Sequence, residues 1–442
     1  MIMSGFFLLN LKLSGIKNIE KPIEIPFYKK TIKDDFDPEK YRIKGIYGEN
    51  GSGKTAIMTA VKLLTRILLD RNYLSDSVNQ RLLAENINKK TRKCHLETTF
   101  YAFRDVGPFI YHYQVDLVTR ENDRVYIKRE KLESKIGRYT QNPYLTVFET
   151  RDGRLLQYDK GEVLEACREK TQNLLETRSF ATFTPDIASS GIQPKRLLLH
   201  HLESLMFFAA NIHVWIDGED DHRNYALRQL QTNGTEVLHE GSDLAVYSWA
   251  STAGNDRKEV MVPKSQIQQY REREKQLFSF IRIFKTSLKG IGTETKEYGD
   301  FYLCRRVMVY DGYELDEEYE SRGIRKLIAL FDAMDAACRG EIIFIDELDS
   351  NINDIYLDKL IEYFVRYGKG QLCFTAHNLS PMSILRNNRC AISFISAVNT
   401  VHTWTSNGNQ TPEHAYREGF IEDSPFNVDS SDFLGILGGA DE

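Results

Sequence analysis

Paired cysteines are missing from this chain. Its six cysteines (Cys94, Cys167, Cys304, Cys338, Cys373 and Cys390) are scattered over 442 residues, and no two form a C-x-x-C pair. That spacing gives no zinc signature and fits a reducing compartment. Long hydrophobic runs are missing too: no stretch approaches the ~20 apolar residues needed to span a bilayer. The apolar start, Met1 to Leu13, is broken by Asn10 and Lys12 and lacks both a cationic flank and a small-residue cleavage site. It predicts a first strand rather than a leader, and the expectation is a cytoplasmic protein with no membrane partner. Charge of one sign is not in excess either. Lys plus Arg number 58 against 63 Asp plus Glu, a net −5, so the overall electrostatics make no case for nucleic acid. No heptad pattern persists long enough for an extended coiled coil, and there is no internal repeat.

What is present begins at Gly48-Glu49-Asn50-Gly51-Ser52-Gly53-Lys54-Thr55, a full match to G-x-x-x-x-G-K-[ST]. An apolar run, Ile43 to Tyr47, precedes it, and Ala56 to Leu64 comes next with apolar residues at helical spacing. Strand, glycine turn and helix are what a phosphate cradle needs. The glycines let backbone N–H groups converge on phosphate oxygens, and the helix N-terminus adds a favourable potential for an anion. Gly48, Asn50, Gly51, Ser52, Gly53, Lys54, Thr55 and Ala56 are therefore the candidate nucleotide-binding residues. Lys54 would reach the β- and γ-phosphates, and the Thr55 hydroxyl would ligate Mg²⁺.

Glu341-Ile342-Ile343-Phe344-Ile345-Asp346-Glu347 is an apolar strand ending in two carboxylates. By itself it could be any buried strand. Behind a P-loop it reads as the Walker B strand, with Asp346 holding Mg²⁺ and Glu347 acting as general base on the attacking water. His377, in Ala376-His377-Asn378, sits thirty residues after Glu347, where the next parallel strand should end. A histidine at a strand end can be purely structural. In an open α/β sheet, however, strand ends line the ligand crevice, which makes His377 a candidate γ-phosphate sensor. The segment Glu320-Ser321-Arg322-Gly323 opens a helix. Ser321 serves there as a cap, or else Ser321 and Gly323 present a second phosphate-binding helix N-terminus to ATP on another subunit.

Elsewhere, Thr98–Phe103, Phe109–Val118, Arg124–Leu132 and Tyr144–Glu149 read as an antiparallel meander, with turns at 105–108 and at 151–154. Helical spacing marks 163–177, 194–209, 265–288 and 321–337. Polar, glycine-containing stretches between 217 and 264 read as loops. The polar tail after Trp404 ends in a short apolar cluster, Phe433 to Leu437.

In order, these motifs resemble the ABC-type ATPases. They are most similar to the branch with RecF, the SMC-type clamps and the OLD-like and RloA/AbiLi-like (AAA-family) proteins. Ser321-x-Gly323 looks like a degenerate signature motif, Asp349-Ser350-Asn351 occupies the D-loop position, and Phe374 to Asn378 resembles the switch-histidine segment. The resemblance covers residues 1–60 and about 300–405. It implies an α/β P-loop fold of ABC type, with a mixed sheet, an antiparallel meander and an inserted mainly helical lobe. The expected layout is 1–155 and 296–405 as the two parts of the ATPase domain, 156–295 as the lobe and 406–442 as the tail.

The resemblance also implies ATP and Mg²⁺ as cofactors and ATP-dependent assembly into a homo-oligomer. Its anti-phage members suggest a switch in prokaryotic defence. The 65 residues after His377 leave no room for a TOPRIM nuclease in cis, so a nuclease or toxin would come as a separate partner. The alternative is a RecF-like DNA clamp, for which Lys89-Lys90-Thr91-Arg92-Lys93 and Lys128-Arg129, with Lys131 and Lys135, are the candidate contacts. Gln114 is the one candidate for the Q-loop glutamine.

Overall fold

Strands without polar alternation are buried on both faces, and that is how IKGIY, IIFI, QLCFT and ISFI fold here. The computed structural model describes residues 5–29, 38–137, 142–216, 250–251, 259–388, 390–405, 410–422 and 424.

Along the chain the strands are β1 (Gly5–Ser14), β2 (Ile23–Pro26), β3 (Ile43–Tyr47), β4 (Lys93–Arg104), β5 (Gly107–Thr119), β6 (Val125–Ile136), β7 (Leu145–Arg151), β8 (Arg154–Gln157) and β9 (Ile212–Trp215). Then come β10 (Ala250–Ser251), β11 (Val260–Pro263), β12 (Gly290–Tyr298), β13 (Phe301–Tyr310), β14 (Tyr313–Asp316), β15 (Ile342–Ile345), β16 (Gln371–Thr375), β17 (Ile392–Ile395) and β18 (Val401–Thr403). The helices are α1 (Lys54–Leu69), α2 (Ser77–Asn86), α3 (Glu162–Thr171), α4 (Thr184–Ala188), α5 (Arg196–Ala210), α6 (Ile267–Phe284), α7 (Arg322–Arg339), α8 (Asp354–Tyr367), α9 (Met382–Leu385) and α10 (Pro412–Arg417).

Three sheets organise these elements. The central one runs β18-β17-β3-β16-β15-β9, parallel except for β18. A seven-stranded antiparallel sheet runs β2-β1-β4-β5-β6-β7-β8, and a smaller antiparallel sheet holds β10 to β14 without a break in sequence. Helix α1 lies between the first two. Its Ile57, Val61, Leu64 and Leu68 share one apolar core with Leu96, Phe100 and Tyr113 of the antiparallel sheet and with Ile46, Phe344 and Cys373 of the central sheet. A helix apolar on most of its circumference belongs in such a position. The other face of the central sheet carries Tyr47, Ile343, Ile345, Phe374 and Phe394, and packs on α6, α7, α8 and α9. Gln371 pins the layers together: its amide donates to the Leu8 carbonyl at 3.0 Å and accepts from the Leu8 N–H at 2.6 Å, beside the β-bulge between Leu8 and Asn10.

The expected α/β class, a P-loop fold with a mixed sheet and an antiparallel meander, is the one observed. The 105–108 turn is tighter than the sequence suggests, because Gly107 and Pro108 already belong to β5. Asp152 and Gly153, both at positive φ (46° and 75°), make the second hairpin turn. β9 pairs with β15 in the central sheet and α5 packs on α1, so the chain through Trp215 adds to the core around α1 and the central sheet. The loops expected over 217–249 and 252–258 and the cluster Phe433–Leu437 lie outside the described residues. No helix among the described residues is long and apolar enough to cross a membrane.

Candidate functional site

The parallel strands of the central sheet end together, and most of the candidate site residues gather at that edge. β3 delivers the chain into Gly48, where a Cβ would come within 2.3 Å of the Ile395 carbonyl and 2.7 Å of Ser52 Oγ. Only glycine fits. Gly51 and Gly53 have φ of +81° and +111°, the region glycine enters at no steric cost, and Gly53 is the N-cap of the 16-residue α1. The loop is held from outside by Asn18, whose amide donates to the Gly51 carbonyl. Lys54 is buried and its ammonium donates to the carbonyls of Gly48 at 2.7 Å and Glu49 at 3.0 Å, curling over the loop. Burial pushes its pKa down, and the charges of Asp346, Glu347, Asp349 and Glu49 oppose that shift.

β15 and β16 end side by side and share one hydroxyl. Thr375 Oγ1 donates to Asp346 Oδ1 at 2.6 Å and accepts from the Glu347 N–H at 2.7 Å. One side chain thus orients both carboxylate residues. Asp346 is buried, whereas Glu347 is exposed and has φ of +47°, a conformation that costs about 1–3 kcal/mol for a residue with a Cβ.

Asp349 organises the next loop: its Oδ2 accepts from the N–H groups of His377 at 2.9 Å and Asn378 at 2.7 Å. The His377 backbone is thereby fixed while its ring stays exposed. A cavity of about 510 Å³ lies between Gly48, Glu49 and Asn50 on one side and His377 on the other, with Tyr416 of α10 in its wall.

Oxygen donors are what a small hard cation prefers, and the Asp346 carboxylate and Thr55 hydroxyl are the groups that would hold Mg²⁺. Loop amides, a helix N-terminus and a buried lysine are the complement of a polyphosphate.

The second element stands slightly apart. Ser321 is the N-cap of α7, its hydroxyl accepting from the Ile324 N–H at 3.4 Å, and it is exposed. Neither Ser321 nor Gly323 lines the cavity. An added Cβ on Gly323 would meet the Asn351 carbonyl at 3.8 Å, and Lys326 donates to the Glu347 carbonyl and to Ser350 Oγ. The start of α7 is thus tied to the segment just after the paired carboxylates, with its tip facing outward. Gln114 lies mid-strand in β5, bonded to His112, and does not reach the cavity.

Sequence reasoning missed Thr375 as the organiser and Tyr416 as a wall. A hydroxyl at the last position of a parallel strand beside a Walker B strand was a usable signal for Thr375. Tyr416 had none, because only the fold brings it back to the loop.

No protein-family model matches this chain, and no curated protein matches it. Among solved structures it aligns with the SMC head domain from Thermotoga maritima at 12% identity and a TM-score of 0.33, over 90% of this chain and 100% of that one. At that level the likeness assigns neither a family nor an activity.

Proposed function

We propose that this protein is an ABC-type ATPase: it binds ATP with Mg²⁺, hydrolyses it to ADP and phosphate, and uses the cycle as a conformational switch. The observation that carries the reading is the meeting of a glycine cradle with Lys54, the Asp346–Glu347 pair and exposed His377 at one edge of a parallel sheet. Lys54 and the loop amides hold the phosphates. Thr55 and Asp346 hold Mg²⁺, which when bound draws charge from the β- and γ-phosphate oxygens. Glu347 takes a proton from the attacking water, and His377 contacts the γ-phosphate. Residues 1–155 and 296–405 supply the two parts of the ATPase domain. We place the start of the insertion after β9 rather than at 156 because β9 belongs to the central sheet.

The outward tips of Ser321 and Gly323 support a composite site in which each copy completes the nucleotide pocket of another. ATP would then drive assembly of a homo-oligomer. From the sequence resemblance we propose further that this switch controls a separate nuclease or toxin in anti-phage defence.

Titration of the full chain with ATP and Mg²⁺ tests the core of the reading. Wild type should bind, and Lys54→Ala should lose at least about 100-fold in affinity through one buried charge-assisted contact. Equal binding by both would end the reading. The effector is tested by pulling down Glu347→Gln with ATP from its host: a nuclease or toxin, absent from the Lys54→Ala control, is the expected companion.

One observation favours the DNA-clamp reading. Lys93, Lys128, Arg129 and Arg151 converge on a cavity of about 400 Å³ on the outer side of the antiparallel sheet. Much of this charge is neutralised: Arg129 and Arg151 both pair with Glu149, Glu20 and Asp116 line the same cavity, and Lys89, Lys90 and Arg92 pair with Glu85, Glu20 and Asp123. DNA affinity falling steeply with salt would support this reading, since phosphate contacts release counterions.

A further inference from the structure

Helix α10 lies far along the sequence from the P-loop, yet it returns to the loop. Thr411 caps it by accepting from the His414 N–H at 3.2 Å, and the Phe420 N–H closes its end on the Ala415 carbonyl at 2.9 Å. Its Tyr416 is 8% exposed, and its ring is stacked on Phe394 with centroids 5.3 Å apart and planes 16° apart. Phe394 packs against Tyr47 at 6.2 Å, and Tyr47 is the residue before Gly48. An aromatic stack therefore fixes the phenol against the root of the P-loop. It lies in the wall of the cavity whose other sides are Gly48, Glu49, Asn50 and His377.

The Tyr416 hydroxyl makes no hydrogen bond to a described residue. A rigid phenol in the wall of that cavity, with its hydroxyl open to water and not bonded to a described residue, is available to a ligand there. Burial, with the Glu49 charge adding to it, pushes its pKa up to about 12, so it stays a neutral donor. The cavity adjoins the first half of the loop, where His377 stands, and not the N-terminus of α1. In the ATPase reading that is the end of the loop nearest the third phosphate, which ADP lacks.

We propose that Tyr416 is a nucleotide-binding residue that donates a hydrogen bond to the γ-phosphate of ATP. Helix α10 thereby distinguishes ATP from ADP. The inference rests on the ATPase reading and extends it: the C-terminal helix becomes the element that reports whether the third phosphate is present.

The test uses the full chain carrying Glu347→Gln, so that ATP persists, with and without Tyr416→Phe. The phenylalanine keeps the ring and its stack. With Mg²⁺ present, Tyr416→Phe should weaken ATP about tenfold, the effect of one hydrogen bond to a charged group, and change ADP by less than about twofold. Equal changes for both nucleotides, or none, would overturn the proposal. A parent that binds neither ATP nor ADP would overturn the ATPase reading along with it. An independent measurement needs no change at Tyr416: hydrogen exchange of the amides of 412–417 in the Glu347→Gln protein. ATP should slow it and ADP should not, and identical exchange in the two complexes would also overturn the proposal.

Discussion

The two large sheets of this molecule, one parallel except for β18 and the other antiparallel, carry information differently. In the central sheet every residue of β3, β15, β16 and β17 is buried, and the chemistry is confined to the loops beyond the strand ends. In the antiparallel sheet burial alternates, as in Lys93 to Arg104, and one face is polar over much of its extent, apart from the apolar cluster of Phe7, Leu9, Tyr101 and Ile110. That face carries a ladder of ions across the strands. His95 lies between Asp116 (Nδ1 to Oδ1, 2.6 Å) and Glu97 (Nε2 to Oε2, 3.2 Å). The second oxygen of Glu97 meets His112 at 3.1 Å, and His112 meets Glu133 at 3.2 Å. A parallel sheet with both faces covered concentrates function at one edge, where short sequence motifs can encode it. A half-exposed antiparallel sheet spreads polar chemistry over many strands, and no short motif records it.

The contrast can be broken most forcibly in the buried sheet. Phe344 is fully buried and sits edge-on to Phe27, with ring centroids 6.0 Å apart. Phe344→Ala should cost about 3–5 kcal/mol of stability. Glu97→Gln, on the polar face, should cost under about 1 kcal/mol, because screened ion pairs contribute little. Denaturant unfolding of the two variants compares them directly, and equal losses would erase the distinction.

A smaller effect is expected at the strand ends. Thr375→Val removes the hydroxyl that orients Asp346 and Glu347 while keeping the β-branched shape. ATP turnover should fall about 10- to 100-fold, as for other residues that orient a metal ligand, with nucleotide affinity changed by less than about threefold. A loss confined to affinity would remove Thr375 from its positioning role.

The smallest effect belongs to the ion ladder and appears as pH dependence. Hydrogen bonds that His95 donates to Asp116 and Glu97 push its pKa from an ordinary 6.5 up to about 9. Bonds to His112 and His95 hold Glu97 below the usual carboxylate range. A raised histidine contributes stability that is complete below pH 6.5 and lost as pH rises toward 9. A depressed glutamate contributes stability that is complete above pH 4.5 and lost as pH falls below it. The ladder should therefore help most between about pH 4.5 and 6.5. Thermal melts of wild type and His95→Gln should differ by about 1 kcal/mol in that window and converge near pH 9, given partial screening by solvent. A difference that grows toward pH 9 would contradict the sign.

Much of this molecule was legible in the sequence where one stretch of chain encodes one unit. The P-loop, the Walker B strand and the meander strands were found because glycine spacing, an apolar run and alternation are local signals. Helix α2 was not found: its sequence, SVNQRLLAEN, buries only Gln80 and Leu83, too little for an amphipathic pattern. β9 is four residues, Ile-His-Val-Trp, directly after a helix, and its place beside β15 is set by the sheet and not by its own composition. Tyr416 belongs to the same class, since its stack on Phe394 joins segments that no local pattern connects.

The central claim is that the edge of the parallel sheet hydrolyses ATP through Glu347. Its most direct test is phosphate release by the purified full chain with ATP and Mg²⁺, wild type against Glu347→Gln, with bound nucleotide measured in the same samples. The account predicts that Glu347→Gln retains ATP while phosphate release falls at least about 100-fold, the contribution of a general base. Phosphate release at the wild-type rate by the loaded variant would contradict it.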